Sequence, residues 1–262
     1  MKAEFIALTA PDLALASLLV LALIGLVARL RLGVSQTLTI AAIRTTVQLL
    51  LVGLILEAVF SRAKLSWILL IILVMMTVAS WEILARQKRK LKGWWGFGVS
   101  AFSLFISSFL ITLMALFIVI DADPWYTPQY MIPLLGMLLG NTMNGIALGM
   151  DRLIQTAWQQ RGVIEQRLML GQKDSEAIRE IARDSMRAGM IPIINAMAAA
   201  GVVSLPGMMT GQILAGSPPV EAVKYQILIM FLVTSGTGFA VITVLQLITR
   251  RMFDTRERLR FD

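Results

Sequence analysis

Seven apolar stretches, each near the length a helix needs to cross a bilayer, decide what this chain can fold into. They run approximately over 13–28, 34–60, 65–84, 94–120, 132–150, 191–214 and 225–249. A span takes about 20 predominantly apolar residues. With 57% apolar and only 15% charged residues, and a mean hydropathy of +0.76, the composition points the same way. The predicted fold is all-α, a polytopic integral membrane protein of about seven transmembrane helices. No repeat or low-complexity tract is evident and no linker separates two cores, so 1–262 reads as a single transmembrane domain. Lys2, Glu4 and Asp12 precede the first span and no A-x-A-like site closes it, so that span is expected to be retained.

Short-loop charges orient the spans. Arg29 and Arg31 follow the first, and Arg86, Lys88, Arg89, Lys90 and Lys92 follow the third, which places both loops in the cytoplasm. Asp121 and Asp123 have no basic neighbour, Glu221 and Lys224 balance, and Arg62 with Lys64 runs mildly against the trend. The C-terminal Arg250, Arg251, Arg256, Arg258 and Arg260 complete an N-out, C-in pattern that suits an odd number of spans. The net charge of +8 sits in clusters at the ends of apolar runs, the distribution of topology and anionic lipid rather than nucleic acid. Cys and His are both absent, which removes disulfides, zinc-type sites and thiol or imidazole nucleophiles.

One polar excursion, 151–189, interrupts the apolar pattern. Residues 151–170 continue the fifth span as a helix that ends at Gly171, a residue suited to the left-handed C′ position. Asp174 or Ser175 is positioned to cap a second helix, with Glu176 in its first turn. On that helix Ile178, Ile181, Ala182, Ser185, Met186 and Gly189 form a small or apolar stripe. Glu176 with Arg179, Glu180 with Arg183 and Asp184 with Arg187 are spaced to pair at its flanks. The stripe has a face to bury, against a partner, against the chain's own bundle or on lipid. Seven basic against six acidic side chains make the excursion too evenly charged for a lipid-surface helix.

The order Glu165-Gln166-Arg167-x3-Gly171-x9-Ile181 resembles the EAA coupling loop of ATP-binding-cassette (ABC) permeases. It matches at Glu165, Gly171 and Ile181. It departs at Gln166 and Arg167, where that pattern has two alanines, and at Arg183-Asp184, where it ends in Leu-Pro. A second likeness covers nearly the whole chain: the runs 132–141, 183–192 and 204–211, with Pro219, Ala222, Tyr225 and Gln226 beyond, resemble the FetB family of permeases. The resemblance implies a transmembrane permease domain whose excursion lodges in a separate FetA-like ABC ATPase, with Glu165, Gly171, Ile178, Ile181 and Met186 as coupling residues. It implies a homodimer in the bacterial inner (plasma) membrane and iron as the exported cargo, with plant relatives in aluminium tolerance. No G-x-x-x-x-G-K-[ST] loop occurs, so ATP and Mg are expected on the partner and no cofactor on this chain.

Candidate pathway residues follow from polarity inside the spans. Arg44 lies within the second span, where a charge costs about 2.5–3.5 kcal/mol, and Gln48 is one turn further on the same face. The two form either a structural clasp or a polar strip. Asn141 and Asn144 share a face of the fifth span beside Gly136, Gly140 and Gly145, a pattern of helix packing or of substrate contact. Ser204-Leu205-Pro206-Gly207 breaks the sixth span, and Ser204, Met208, Met209 and Thr210 could there offer oxygen and sulfur ligands. Glu57 and Glu82 sit near span ends, with Arg86 one turn after Glu82. No cluster of carboxylates is present for a hard cation, so no metal-binding set is assigned. Two rivals remain open: an ABC importer permease for amino acids or another small solute, and an ATPase-independent secondary transporter or channel. A membrane enzyme is disfavoured for want of an acid, base and nucleophile set.

Overall fold

The computed structural model describes residues 9–62, 64–87, 95–121, 123–254, 256, 258 and 259, with the side chains of 61, 62 and 95 excepted. The basic loop residues Lys88, Arg89, Lys90 and Lys92, the Arg62 side chain and Arg260 lie outside the described residues. The regular elements are helices: α1 Ala10–Arg29, α2 Ser35–Arg62, α3 Leu65–Ala85, α4 Trp95–Leu104, α5 Leu110–Met114, α6 Pro128–Gln159, α7 Arg161–Met169, α8 Asp174–Ala177, α9 Arg179–Ala199, α10 Gly207–Leu214 and α11 Pro219–Arg251. The chain divides into two compact units, 1–64 and 65–262.

The first unit is the hairpin of α1 and α2. Thr9 donates both its backbone N–H, at 2.8 Å, and its hydroxyl, at 2.6 Å, to Asp12, which fixes the start of α1. Its end is closed by Arg31 N–H to Ala28 C=O at 3.1 Å and Leu32 N–H to Val27 C=O at 3.3 Å, with Arg31 left-handed at φ 52°. The chain then turns through Gly33 into α2.

In the second unit α6 packs on α3, α9 and α11. Small residues let the axes approach: a Cβ on Gly189 would lie 2.7 Å from the Gly145 carbonyl oxygen, and one on Gly149 would lie 3.2 Å from that of Ser185. Thr142 and Thr237 face each other across α6 and α11 with hydroxyl oxygens 3.5 Å apart. Ala115, Leu134, Leu138, Ile193, Ile229, Leu232 and Val233 form an apolar cluster towards the Pro128 end of α6. The fourth span is not a uniform helix, because two π-helical stretches, Phe105–Phe109 and Ala115–Ile120, flank α5. Beside them the Ser107 hydroxyl donates to Ser103 C=O at 2.6 Å and that of Thr112 to Ser108 C=O at 2.7 Å, satisfying hydroxyls within the span. Beyond α11, Asp254 accepts from the N–H groups of Arg258 and Arg256, and the Arg258 N–H foremost holds its carboxyl below the ordinary carboxylate range.

Among the described residues six helical stretches are long and apolar enough to cross a membrane: Ala10–Arg29, Ser35–Phe60, Leu65–Ala85, Gly96–Ile120, Pro128–Gln159 and Pro219–Arg251. The expected span over 191–214 is not among them. It is divided into the second half of α9 and the short α10, with an irregular segment between. Gly201, left-handed at φ 85°, turns the chain, and its N–H bonds Ser204 C=O at 2.9 Å. Pro206 then caps α10 and, having no N–H, cannot join a ladder through the gap.

Candidate functional site

The excursion is a closed, braced turn. α6 runs unbroken to Gln159, and after a break at Gln160 α7 continues to Met169. Gly171 stands at φ 86°, its N–H bonded to Leu168 C=O at 3.0 Å and that of Gln172 to Arg167 C=O at 3.1 Å. That pair of bonds is a Schellman cap, so Gly171 occupies the C′ position its sequence context predicts. A residue with a Cβ is strained there even though open space surrounds the site. The second arm differs in detail from expectation. Lys173, not Asp174 or Ser175, is the N-cap, and Asp174 is the first helical residue, accepting the Ser175 N–H. Asp174 and Glu176 still complement the amino-terminal dipole. After one turn, Ile178 joins α8 to α9.

Of the three covers the sequence leaves open for the stripe, the structure shows the chain's own bundle. Ile178, Ile181, Ala182, Ser185 and Gly189 are all buried, and Met186 is half-buried. Ser185 and Gly189 lie against Gly149 and Gly145 of α6. Ile178 is fully buried where α8 meets α9, and Ile181 is buried one turn on. What the turn presents outward is Met169, 79% exposed, and Leu170, 85% exposed, with Glu165 exposed on the same arm. The flanking charges also rearrange. Arg187 and Asp184 pair at 3.8 Å, whereas Glu180 turns away from Arg183 to Arg167, Nη2 to Oε2 3.1 Å, and the other Arg167 nitrogen donates to Ala177 C=O at 3.2 Å. Arg167, one of the departures from the alanine pattern, thus ties the two arms across thirteen residues of chain. At the other hinge the Arg161 guanidinium lies 5.2 Å over the Trp158 ring.

The pathway candidates fall in both units. Arg44 and Gln48 lie exposed on α2 of the first unit. In the second unit Asn144 Oδ1 accepts from Arg86 Nη1 at 2.5 Å, and Arg86 Nε lies 3.8 Å from Glu82, the expected one-turn pair. Gln87, buried next to it, donates to Ile83 C=O at 3.2 Å and to Ala147 C=O at 3.3 Å. Together these tie the end of α3 to α6. Asn144 acts as a clasp, and Asn141, exposed one turn away, donates to Met137 C=O at 2.8 Å. Met208 packs on the apolar cluster and Met209 is buried, so their thioethers fill space there. Thr210 donates its hydroxyl to Pro206 C=O at 3.2 Å, and Ser204 is exposed at the break. No group of three or more acidic metal ligands occurs among the described residues. The clasp carries a prediction: Asn144→Ala and Arg86→Ala each lower stability by about 1 kcal/mol, and the double variant loses less than the sum. Denaturant unfolding of the four proteins checks this, and strict additivity would show that the pair is not coupled.

Arg167, Gln87, Met169 and Leu170 were missed by sequence reasoning. For Met169-Leu170 a signal existed, two apolar residues directly before a C′ glycine in an otherwise polar excursion. For Arg167 and Gln87 none did, because each acts through a contact distant in sequence.

Comparison with known proteins agrees with this architecture. Residues 10–253, both units, match the model of an uncharacterised protein family, UPF0014. The UPF0014 membrane protein slr1647 of Synechocystis is 40% identical over 216 residues, 82% of this chain and 83% of that protein. The probable iron export permease protein FetB of Escherichia coli is 32% identical over 96% of this chain and 95% of its own length. The protein ALUMINUM SENSITIVE 3 of Arabidopsis thaliana is 31% identical over 76% of this chain and 71% of its own. No solved structure matches. A family match across nearly all the helices, joined to relatives aligned over most of their length, makes this multi-pass membrane protein a member of the UPF0014 family.

Proposed function

We propose that the chain is the permease subunit of an ABC transporter that exports iron or a related metal ion from the cytoplasm, using ATP and Mg bound by a separate FetA-like ATPase. The carrying observation is the excursion: a glycine-closed, Arg167-braced turn that bares Met169 and Leu170 while its arms are continuous with, or packed on, α6 and α9. A push on such a tip reaches the bundle through helices and not through loose chain. In this reading the amino terminus is outside, the carboxyl terminus inside the bacterial inner membrane, and two copies enclose the path. The name of the Escherichia coli relative supports iron as cargo. The scarcity of carboxylates within the spans suits passage without a tight resident metal site.

Reconstitution of the full chain with its candidate ATPase tests this. Ferrous iron is expected to stimulate ATP hydrolysis, and Gly171→Leu is expected to abolish that stimulation while leaving membrane insertion intact. The strained αL position costs a non-glycine residue about 1–2 kcal/mol, absorbed by reshaping the tip. Stimulation by amino acids instead of metals would point to an importer. Absence of any complex with an ATPase would leave an ATPase-independent transporter or channel, and the proposal would fall.

A further inference from the structure

The irregular segment between α9 and α10 runs beside the apolar cluster at the Pro128 end of α6. Met208, at the start of α10, packs on the cluster that contains Leu134 and Ile229. Leu134 is five residues inside Gln129 on α6, and Ile229 three inside Gln226 on α11, about 4 to 7 Å of helix past the last polar side chain of that end, tyrosines aside. The α6–α9 pairing agrees. Gly189 opposes Gly145 and Ser185 opposes Gly149, and the same antiparallel register carries Ala200 to the level of Leu134.

At that level several backbone groups have no partner. Ser204 C=O receives the Gly201 N–H, and Ala199 C=O receives those of Val203 and Ser204. The N–H groups of Val202 and Leu205, and the carbonyls of Gly201, Val202 and Val203, make no hydrogen bond to the described residues. Val202 is 90% exposed, Val203 83% and Leu205 60%, so apolar side chains also stand open there. Lipid offers neither donor nor acceptor, and each unmet group costs several kcal/mol in hydrocarbon. Apolar side chains on unpaired backbone call for a protein cover.

The segment carries both free donors and free acceptors, which makes it complementary to itself. A twofold-related copy meets such a surface with the same surface, donor against acceptor. The adjoining end of α9, Ala198-Ala199-Ala200-Gly201, is small enough for close approach. We infer that residues 200–206 form an interface between two copies of this chain, each supplying the other's missing hydrogen-bond partners. This rests on the two-copy reading proposed above and adds where the copies meet.

The chain has no cysteine, so single-cysteine variants report without background. Val202→Cys and Val203→Cys are each introduced into the full chain, co-expressed with the ATPase and oxidised in native membranes. Ile118→Cys, on the exposed face of the fourth span, is the control. A reducible band at twice the monomer mass is expected for either loop variant and not for the control. The inference is overturned if neither loop variant crosslinks between copies, whether a water-soluble maleimide labels them, which would mark a wet vestibule, or a second cysteine on α1 or α2 captures them within one chain. Native mass measurement separates the two readings. A complex with two copies and ATPase but no loop crosslink sinks this inference alone, whereas a lone chain without ATPase sinks the two-copy reading with it.

Discussion

Gly189→Val is expected to cost the folded protein more than any exposed substitution of similar size, through loss of the α6–α9 contact. The first added carbon would sit 2.7 Å from the Gly145 carbonyl oxygen and 3.0 Å from a Val241 methyl. The nearest obstacle is backbone and has no rotamer to yield, so the two helices must separate or twist. Forcing volume into such a site costs about 1–3 kcal/mol. At roughly 2–4 °C per kcal/mol for a chain of this size, melting in detergent should fall by several degrees. Gly145→Val should behave alike, its Cβ meeting the Gly189 carbonyl oxygen and a Thr237 methyl at 2.9 Å each. Gly98→Ala, where a Cβ meets nothing within 4 Å, should leave melting unchanged or slightly raised. Wild-type melting of Gly189→Val would mean that α6 and α9 do not approach as closely as these distances require.

That contact also shows what periodicity can and cannot say. The stripe from Ile178 to Gly189 was legible as a face to be buried, since its members recur at helical spacing. Which surface would bury it was not, because an amphipathic pattern names the face and leaves its cover open. Gly145 and Gly149 on α6 are the other half of the answer, and nothing in their local context names Gly189 or Ser185 as neighbours. Local features fared better. Gly171 was readable as a C′ glycine because one left-handed residue closes a helix by itself. The weakness of 204–207 was readable from Pro206 and Gly207, but the stretch it interrupts proved to be two helices, because Gly201 had already ended the first. The Arg167 brace, the Gln87 bonds and the π-helical stretches of the fourth span depend on tertiary placement and left no mark in the order of residues.

If the chain works with an ATPase as proposed, Met169→Asp with Leu170→Asp is expected to abolish capture of that ATPase while leaving the chain folded and inserted. Both side chains stand almost fully in the open, at 79% and 85%, so no internal packing is lost when they change. Their backbone groups stay within the cap, where Leu170 N–H bonds Gln166 C=O at 3.0 Å, and Asp at either position can adopt the same right-handed conformation. If a groove on the ATPase buries these two residues, each contributes about 1.5–3 kcal/mol, and placing a carboxylate there reverses the sign. Since about 1.4 kcal/mol is tenfold in affinity, the double variant should bind the ATPase at least a hundredfold more weakly. Ile178→Asp is the informative contrast. Ile178 is fully buried beneath the turn, so its substitution should lower melting and yield along with binding. Co-purification of the ATPase, read beside the thermal melt of each permease variant, separates an exposed contact from a buried support. Undiminished capture by the Met169, Leu170 double variant would show that the exposed tip is not where the energy of ATP hydrolysis enters, and the coupling role proposed for the excursion would have to be given up.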